Sequence, residues 1–260
     1  GLPELEYVKP VSLSEASKFL AEHDGTAKPF SGGTDSLIRI RDGVLKLDYL
    51  VDVKGLEGTH ELTFDPQKGL TIGAAVTMNR VASHPDVVKH YPSLALAAGS
   101  VASYQLRNRA TIIGNICNAS PAGDTIGTCM ILDGVLKVHG VGGLRDVPLN
   151  NFFLAPGRTV LKPGDVVVAI HLPVPPKGMV GTYKKLGRNR IGDLSIVGVA
   201  VAGYPSAESP SGFRFRIALA SVAPVPFESS KAESVMSAKK ITAEVIEEAA
   251  VMAMESVTPI

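Results

Sequence analysis

The stretch KPFSGGTDSL, residues 28–37, sets two glycines between the apolar Phe30 and a helix-like run, SLIRIRDG, at residues 36–43. Glycine takes positive φ without strain and carries no Cβ to hold another backbone or a ligand at a distance. Successive unpaired N–H groups in such a turn form a concavity suited to an anion, and a helix starting behind it adds its positive end. Thr34 offers a hydroxyl donor, and Asp35 fits a helix cap. An ordinary strand-to-helix turn would use the same residues, so the segment alone leaves both readings open. Neither G-x-G-x-x-G nor G-x-x-x-x-G-K-[ST] occurs, which removes the dinucleotide fingerprint and the P-loop.

The flanks place this turn in a small parallel sheet. SLSEASKFLAEHDG, residues 12–25, spaces Leu13, Ala16, Phe19 and Leu20 as a helix, with Ser12 or Ser14 as N-cap and Gly25 after its end. AKPF predicts a strand, TDSLIRIRDG a second helix and LDYLVDV, residues 47–53, a second strand. Further on, residues 69–84 predict a strand running into a helix, and residues 93–102 a helix of small residues. Residues 110–113, ATII, predict the end of an apolar strand. Strands are also expected at residues 134–149, around a glycine turn, and at 165–175, where prolines end the run. PVPPKG, residues 173–178, predicts a boundary. GTYKKL, LSIVGVAVAGY and FRFRIALASVAP follow as strands, and residues 242–257 as a helix. The expected organisation is residues 1–175, divided at about residue 55, followed by an α+β unit over 178–260.

The bulk properties narrow the function. The chain has 260 residues, is 45% hydrophobic and 20% charged, and carries a net charge of +1. That balance fits a packed globular protein and gives no bulk attraction for nucleic acid or a membrane surface. Cys117 and Cys129 are the only cysteines, too few for a four-cysteine iron–sulfur cluster or a closed zinc site. Their scarcity fits a reducing cytoplasm. The six histidines lack metal-ligand spacing, and no G-x-S-x-G is present. No apolar run is long enough to span a membrane, and residues 1–10 lack the pattern of a secretory signal.

Two other segments are suited to a site. ATIIGNICNASPAGD, residues 110–124, combines Gly114, Asn115, Ser120 and Asp124. Main-chain donors there suit a pyrophosphate or a heterocycle edge, and a carboxylate suits a ribose or ribityl hydroxyl. A surface turn with Asx-type hydrogen bonds would look the same. YKKLGRNRIGD, residues 183–193, interleaves Lys184, Lys185, Arg188 and Arg190 with glycines. It reads either as a solvated hairpin face or as a lysine reaching a flavin or phosphate, with arginines at an interface.

Taken together, KPFSGGTDSLIRIRDG followed by RNRATIIGNICNASPAGDT resembles the FAD-binding subunits of the molybdenum hydroxylase family. That family includes carbon monoxide dehydrogenase medium subunits and xanthine dehydrogenase FAD-binding subunits. The resemblance extends over EYVKPVSLSEASKFL, DVVVAIHLP, YKKLGRNRIGD and ALASVAPVPFESSKAE, almost the whole chain. It implies a vanillyl-alcohol-oxidase (p-cresol methylhydroxylase) type FAD-binding domain of two α/β subdomains. A C-terminal α+β domain, an antiparallel sheet plus helices, would follow.

The resemblance also assigns residues to FAD. Lys28, Pro29, Phe30, Ser31, Gly32, Gly33, Thr34, Asp35 and Ser36 would line the pyrophosphate. Thr111, Gly114 and Asn115 would form the second phosphate-side contact, and Asp124 the carboxylate at the ribose or ribityl side. Val101 and Ala102 would lie near the flavin, Val167 near the adenine or ring, and Lys185, or by a slip Lys184, would be the strand lysine. No catalytic acid or base is demanded. Electrons would pass from a molybdenum-cofactor large subunit through a [2Fe-2S] small subunit to FAD, then to NAD+, a quinone or another acceptor.

Three departures stand out. Ile113 occupies the first glycine of the family's Thr-Ile-Gly-Gly-Asn, where a β-branched residue restricts φ and would shift the loop. Glu228 stands where an arginine is common, and the family usually continues, often as a helix, past Ile260. Two other functions are compatible with the sequence. One is a stand-alone flavin oxidoreductase of the same fold, which VAPVP at residues 222–226 argues against. The other is a flavin-free assembly subunit, supported by Ile113 alone.

Overall fold

The computed structural model describes residues 1–189 and 192–259. At the N-terminus, β1 (Glu6–Val8), α1 (Leu13–Glu22), β2 (Ala27–Phe30), α2 (Ser36–Arg41) and β3 (Tyr49–Asp52) build a parallel three-stranded sheet of order β1-β3-β2. Ser12 caps α1 by accepting from the Glu15 N–H at 3.1 Å, while Glu15 reaches back to the Val11 N–H at 2.7 Å. Ala16 and Leu20 of α1 then bury against Ala27, Val51 and Val53. The helix–strand–helix–strand expectation is met. β1 was not anticipated, because three residues are too few to show a period.

The central layer comprises β4 (Leu62–Asp65), β5 (Gly69–Gly73), α3 (Met78–Ser83), α4 (Pro85–His90), α5 (Pro92–Ser100), α6 (Tyr104–Arg107), α7 (Ile112–Asn118), α8 (Ile126–Ile131), β6 (Val135–Gly140), β7 (Gly143–Pro148), β8 (Phe153–Ala155), β9 (Arg158–Thr159) and β10 (Val166–Leu172). Its main sheet is antiparallel with order β4-β5-β10-β6-β7. β10 sits in the middle and is buried along nearly its whole length, which explains its unbroken apolar run.

One expectation fails here. Residues 110–113 do not end a strand: Thr111 is extended and bridges Thr77, and the chain then enters α7. The Thr111 hydroxyl accepts from the Gly114 N–H at 2.9 Å, a helix N-cap. Ile112, Ile113 and Ile116 fall on one helical face and are buried, and that packing overrides the strand preference of isoleucine.

The C-terminal layer is an antiparallel sheet of order β11-β12-β13-β14, from β11 (Val180–Leu186), β12 (Val197–Pro205), β13 (Phe213–Ala220) and β14 (Phe227–Glu228). α9 (Ser230–Ala238) and α10 (Ala243–Met254) follow. The sheet alternates cleanly. Ala200, Ala202 and Ala218 join the central core beneath α5 and α8, while Val199, Val201 and Ile217 pack with α9 and α10. The layers are also tied by charge. Arg216 binds Glu228 at 2.7 and 2.8 Å and Asp133 at 2.9 Å, and Asn150 donates to Glu228 at 2.7 Å. Glu228 therefore has a structural partner on the neighbouring strand. Among the described residues no helix is long and apolar enough to cross a membrane.

Glu233 makes this layer pH-sensitive. Partial burial raises its pKa, as does the Glu228 charge nearby, against the lowering effect of the Ile217 N–H. A carboxyl whose folded pKa is raised stabilises the fold below its unfolded pKa, and that contribution is lost as pH rises through the folded value. Glu233→Gln keeps an acceptor for Ile217. Its melting temperature, measured against the parent chain from pH 4 to pH 8, is expected to rise relative to the parent as pH increases.

Candidate functional site

A cavity of about 510 Å³ runs from the end of α1, past the β2–α2 turn and the start of α7, to the loop before β12. The β2–α2 turn explains its own glycines. Gly33 has φ +73°, so the left-handed backbone requires it. Gly32 has a different reason: a Cβ there would overlap the Arg109 carbonyl, so the N-terminal layer and the segment before α7 meet backbone to backbone. Ser31 adds a hydrogen bond from its hydroxyl to the Ala74 carbonyl at 2.9 Å. The Met78 N–H holds the Ala110 carbonyl at 2.8 Å from the other side.

This clasp leaves donors facing the cleft. Among the described residues, the N–H groups of Gly32, Gly33, Thr34 and Asp35 meet no protein acceptor, and neither does that of Ile113 in the first turn of α7. Unclaimed N–H groups on residues that line one cavity fit an anionic linker such as a pyrophosphate. Lys28 and Arg39 add positive charge; the Lys28 pKa is lowered by partial burial and then by Arg39. Asp35 stands before α2 without a side-chain cap bond, so its carboxylate is not committed to the helix.

Beyond α7 the cavity turns apolar, with Val101, Ala102, Leu106, Ile113 and Val167. Ala102 is held at φ +42°. Arg107 fixes that turn by donating to the Val101 and Ala102 carbonyls at 2.8 and 3.1 Å, and to Asn79 at 3.1 Å. Strain of this kind at a non-glycine residue persists only where the surroundings enforce it.

At this end Asp124 is the centre of a buried polar cluster. It accepts from the Tyr183 hydroxyl at 2.7 Å, the Ser195 hydroxyl at 2.5 Å and the Lys185 ammonium at 2.9 Å. Lys185 also donates to the Ser100 carbonyl at 3.3 Å. Burial raises the Tyr183 pKa far above the ordinary value, and the Asp124 charge adds to it, so the phenol remains a donor at any working pH. Asn115 accepts from the Thr125 hydroxyl at 2.8 Å, which ties α7 to the loop carrying Asp124.

Of the residues singled out in the sequence, Lys28, Pro29, Ser31, Gly32, Gly33, Thr34, Asp35, Ser36, Val101, Ala102, Thr111, Gly114, Asn115, Asp124 and Val167 line this one cavity. Phe30 does not: its ring is buried with Ile40, Leu47 and Leu50, edge-on to Tyr7 and beneath Gly33. Lys185 lies behind Asp124, beside the cavity. Lys184 is on the exposed face of β11, so strand alternation separates the two lysines. Arg190 lies outside the described residues. The constraint expected of Ile113 does not arise, because it sits in a helix with negative φ. The Cys117 and Cys129 thiols are both pushed up to about 12 by burial, which disfavours the thiolate. No group of three or more metal-binding side chains occurs among the described residues.

Sequence reasoning missed Arg107, Tyr183 and Ser195, and the lining from residues 161–166. Their partners are distant in sequence. The one available signal was that Tyr183 and Lys185 share a strand face.

A cleft lined by unclaimed backbone N–H groups, by Lys28 and Arg39, and by apolar residues beside a buried carboxylate fits an elongated, phosphate-bridged cofactor. The protein-family profile described as the FAD binding domain in molybdopterin dehydrogenase matches residues 3–175, and that of the CO dehydrogenase flavoprotein C-terminal domain matches residues 181–260. The chain belongs to this family of FAD-binding oxidoreductase subunits, and its cofactor is FAD. It is 32% identical to the carbon monoxide dehydrogenase medium chain of Hydrogenophaga pseudoflava over 250 residues, covering 95% of this chain and 85% of that one. It is 30% identical to the xanthine dehydrogenase FAD-binding subunit of Escherichia coli O157:H7 over 255 residues, covering 97% and 86%. Among solved structures, carbon monoxide dehydrogenase from Hydrogenophaga pseudoflava superposes with a TM-score of 0.94 at 30% identity, covering all of this chain and 89% of that one. Quinoline 2-oxidoreductase from Pseudomonas putida 86 gives 0.90 at 26%, covering all of this chain and 88% of that one.

Proposed function

We propose that this chain carries FAD as the electron-transfer subunit of a molybdenum-dependent hydroxylase or dehydrogenase complex. In that complex a large subunit would hold the molybdenum cofactor and a small subunit the [2Fe-2S] cluster, and FAD held by this chain would supply electron transfer to NAD+, a quinone or a similar acceptor. The observation that carries this reading is the cavity itself: it is lined by the β2–α2 turn with its unclaimed N–H groups, by the start of α7, by apolar Val101, Ala102 and Val167, and by the carboxylate of Asp124. FAD supplies the redox chemistry when bound; the chain's residues bind and orient it. In this reading Gly32 to Ser36, Thr111, Gly114 and Asn115 hold the pyrophosphate, and Val101, Ala102 and Val167 pack on the rings. Asp124 takes a ribityl or ribose hydroxyl. In this reading the iron–sulfur cluster lies in a partner, because the chain's two cysteines are too few for a four-cysteine cluster. We assign residues 1–175 to the FAD-binding domain, with subdomains 1–55 and 56–175, residues 178–260 to the C-terminal domain, and the complex to the cytoplasm.

Purifying the tagged chain from its native cells tests the assignment. Molybdenum, iron and FAD are expected in the co-purified complex, and FAD without iron in the chain produced alone. Stoichiometric iron in the isolated chain, or a native complex lacking molybdenum, would contradict it.

A further inference from the structure

Asp124 has both oxygens tied. One accepts from Tyr183 and Ser195, the other from Lys185. Asp124 is 8% exposed at its side chain and Lys185 14%, so this ion pair is shielded from solvent. The carboxylate belongs to the loop before α8, whereas Tyr183, Lys185 and Ser195 come from the C-terminal layer. Lys185 also reaches back to Ser100, next to the cavity-lining Val101 and Ala102. An ammonium has three donors, and these two contacts leave one available. Gly198, opposite Lys185 on β12, keeps the space open: a Cβ there would stand 2.8 Å from the Tyr183 hydroxyl.

We propose that Tyr183 and Ser195 are positioning residues, which stop the Asp124 carboxylate from turning and thereby hold the Lys185 ammonium at the ring end of the cavity. The inference rests on the reading of that cavity as the FAD site. Without either hydroxyl, one carboxylate oxygen loses a donor, the side chain can rotate, and the ammonium loses its fixed place. A cation at a fixed distance favours a flavin that gains negative charge on reduction, so its displacement lowers the flavin's potential.

The test uses the full chain, stripped of flavin, with Tyr183→Phe and Ser195→Ala. FAD is titrated by quenching of its fluorescence, and the midpoint potential of the bound flavin is measured separately. Each variant is expected to bind FAD roughly tenfold more weakly, the scale of one hydrogen bond to a charged group. Each is also expected to show a more negative midpoint potential. Lys184→Ala, on the exposed face of β11, is expected to match the parent chain in both readouts. Parent-like affinity and potential in both variants would overturn the proposal, as would a loss of thermal stability with no change in potential. Failure of the parent chain itself to take up FAD would instead overturn the cavity assignment, and the inference with it.

Discussion

Gly32→Ala is expected to cost about 3–4 kcal/mol of stability and to abolish FAD binding, the upper range for a single substitution. The added Cβ would overlap the Arg109 carbonyl, and the groups around it have nowhere to go. Ala110 is held by Met78, Thr111 is paired with Thr77, and the Thr111 hydroxyl caps α7. Pushing residues 109–110 away therefore disturbs the start of α7 as well as the β2–α2 turn. Gly25→Ala is the comparison. Gly25 has φ +82° but open space around the position of a Cβ, so only the backbone penalty of about 1–2 kcal/mol applies. Thermal unfolding of both variants, with FAD titration alongside, checks the ordering. Equal stability losses in the two, with FAD binding intact, would show that the close approach at Gly32 is not the constraint.

Asp124→Ala is expected to destabilise the chain by about 3–5 kcal/mol, the usual result of leaving one member of a buried ion pair behind. Lys185 would keep only the Ser100 carbonyl, and the Tyr183 and Ser195 hydroxyls would lose their shared acceptor. Replacing both charges, as in Asp124→Leu with Lys185→Met, removes the stranded cation and is expected to restore most of that stability. It is not expected to restore FAD affinity, since the carboxylate and the ammonium would both be gone from the ring end. Denaturant unfolding and FAD titration of the single and double variants separate the two effects. A double variant that regained both would reduce the cluster to a structural link between layers.

These two sites show what was legible in the sequence. Helix and strand order came through where a period was long enough, as in α1 and β12, or where an apolar run was bounded by prolines, as in β10. Gly33 was legible as a turn residue because its need is local, a positive φ. Gly32 was not, because its reason is the Arg109 carbonyl far along the chain, and its role is contact with protein backbone. The segment at residues 110–113 was misjudged for a related cause. Isoleucines favour strands locally, but the Thr111 cap and the buried face of Ile112, Ile113 and Ile116 decide for a helix. Phe30 looked like part of the cofactor turn and proved to be the floor beneath it. Asp124 was legible as a loop carboxylate, and the choice of Lys185 came from the family resemblance. Of the hydroxyls that tie them together, Tyr183 shares a strand face with Lys185, but Ser195 had no sequence signature, since a hydrogen bond between residues 124 and 195 leaves no period or spacing.

The central claim is that this cavity holds FAD, and the most direct measurement is the absorption spectrum of the purified chain, followed by acid release and mass identification of the flavin. The account predicts a flavin spectrum and FAD released in an amount equimolar with the chain. A colourless chain that also fails to take up added FAD would contradict it.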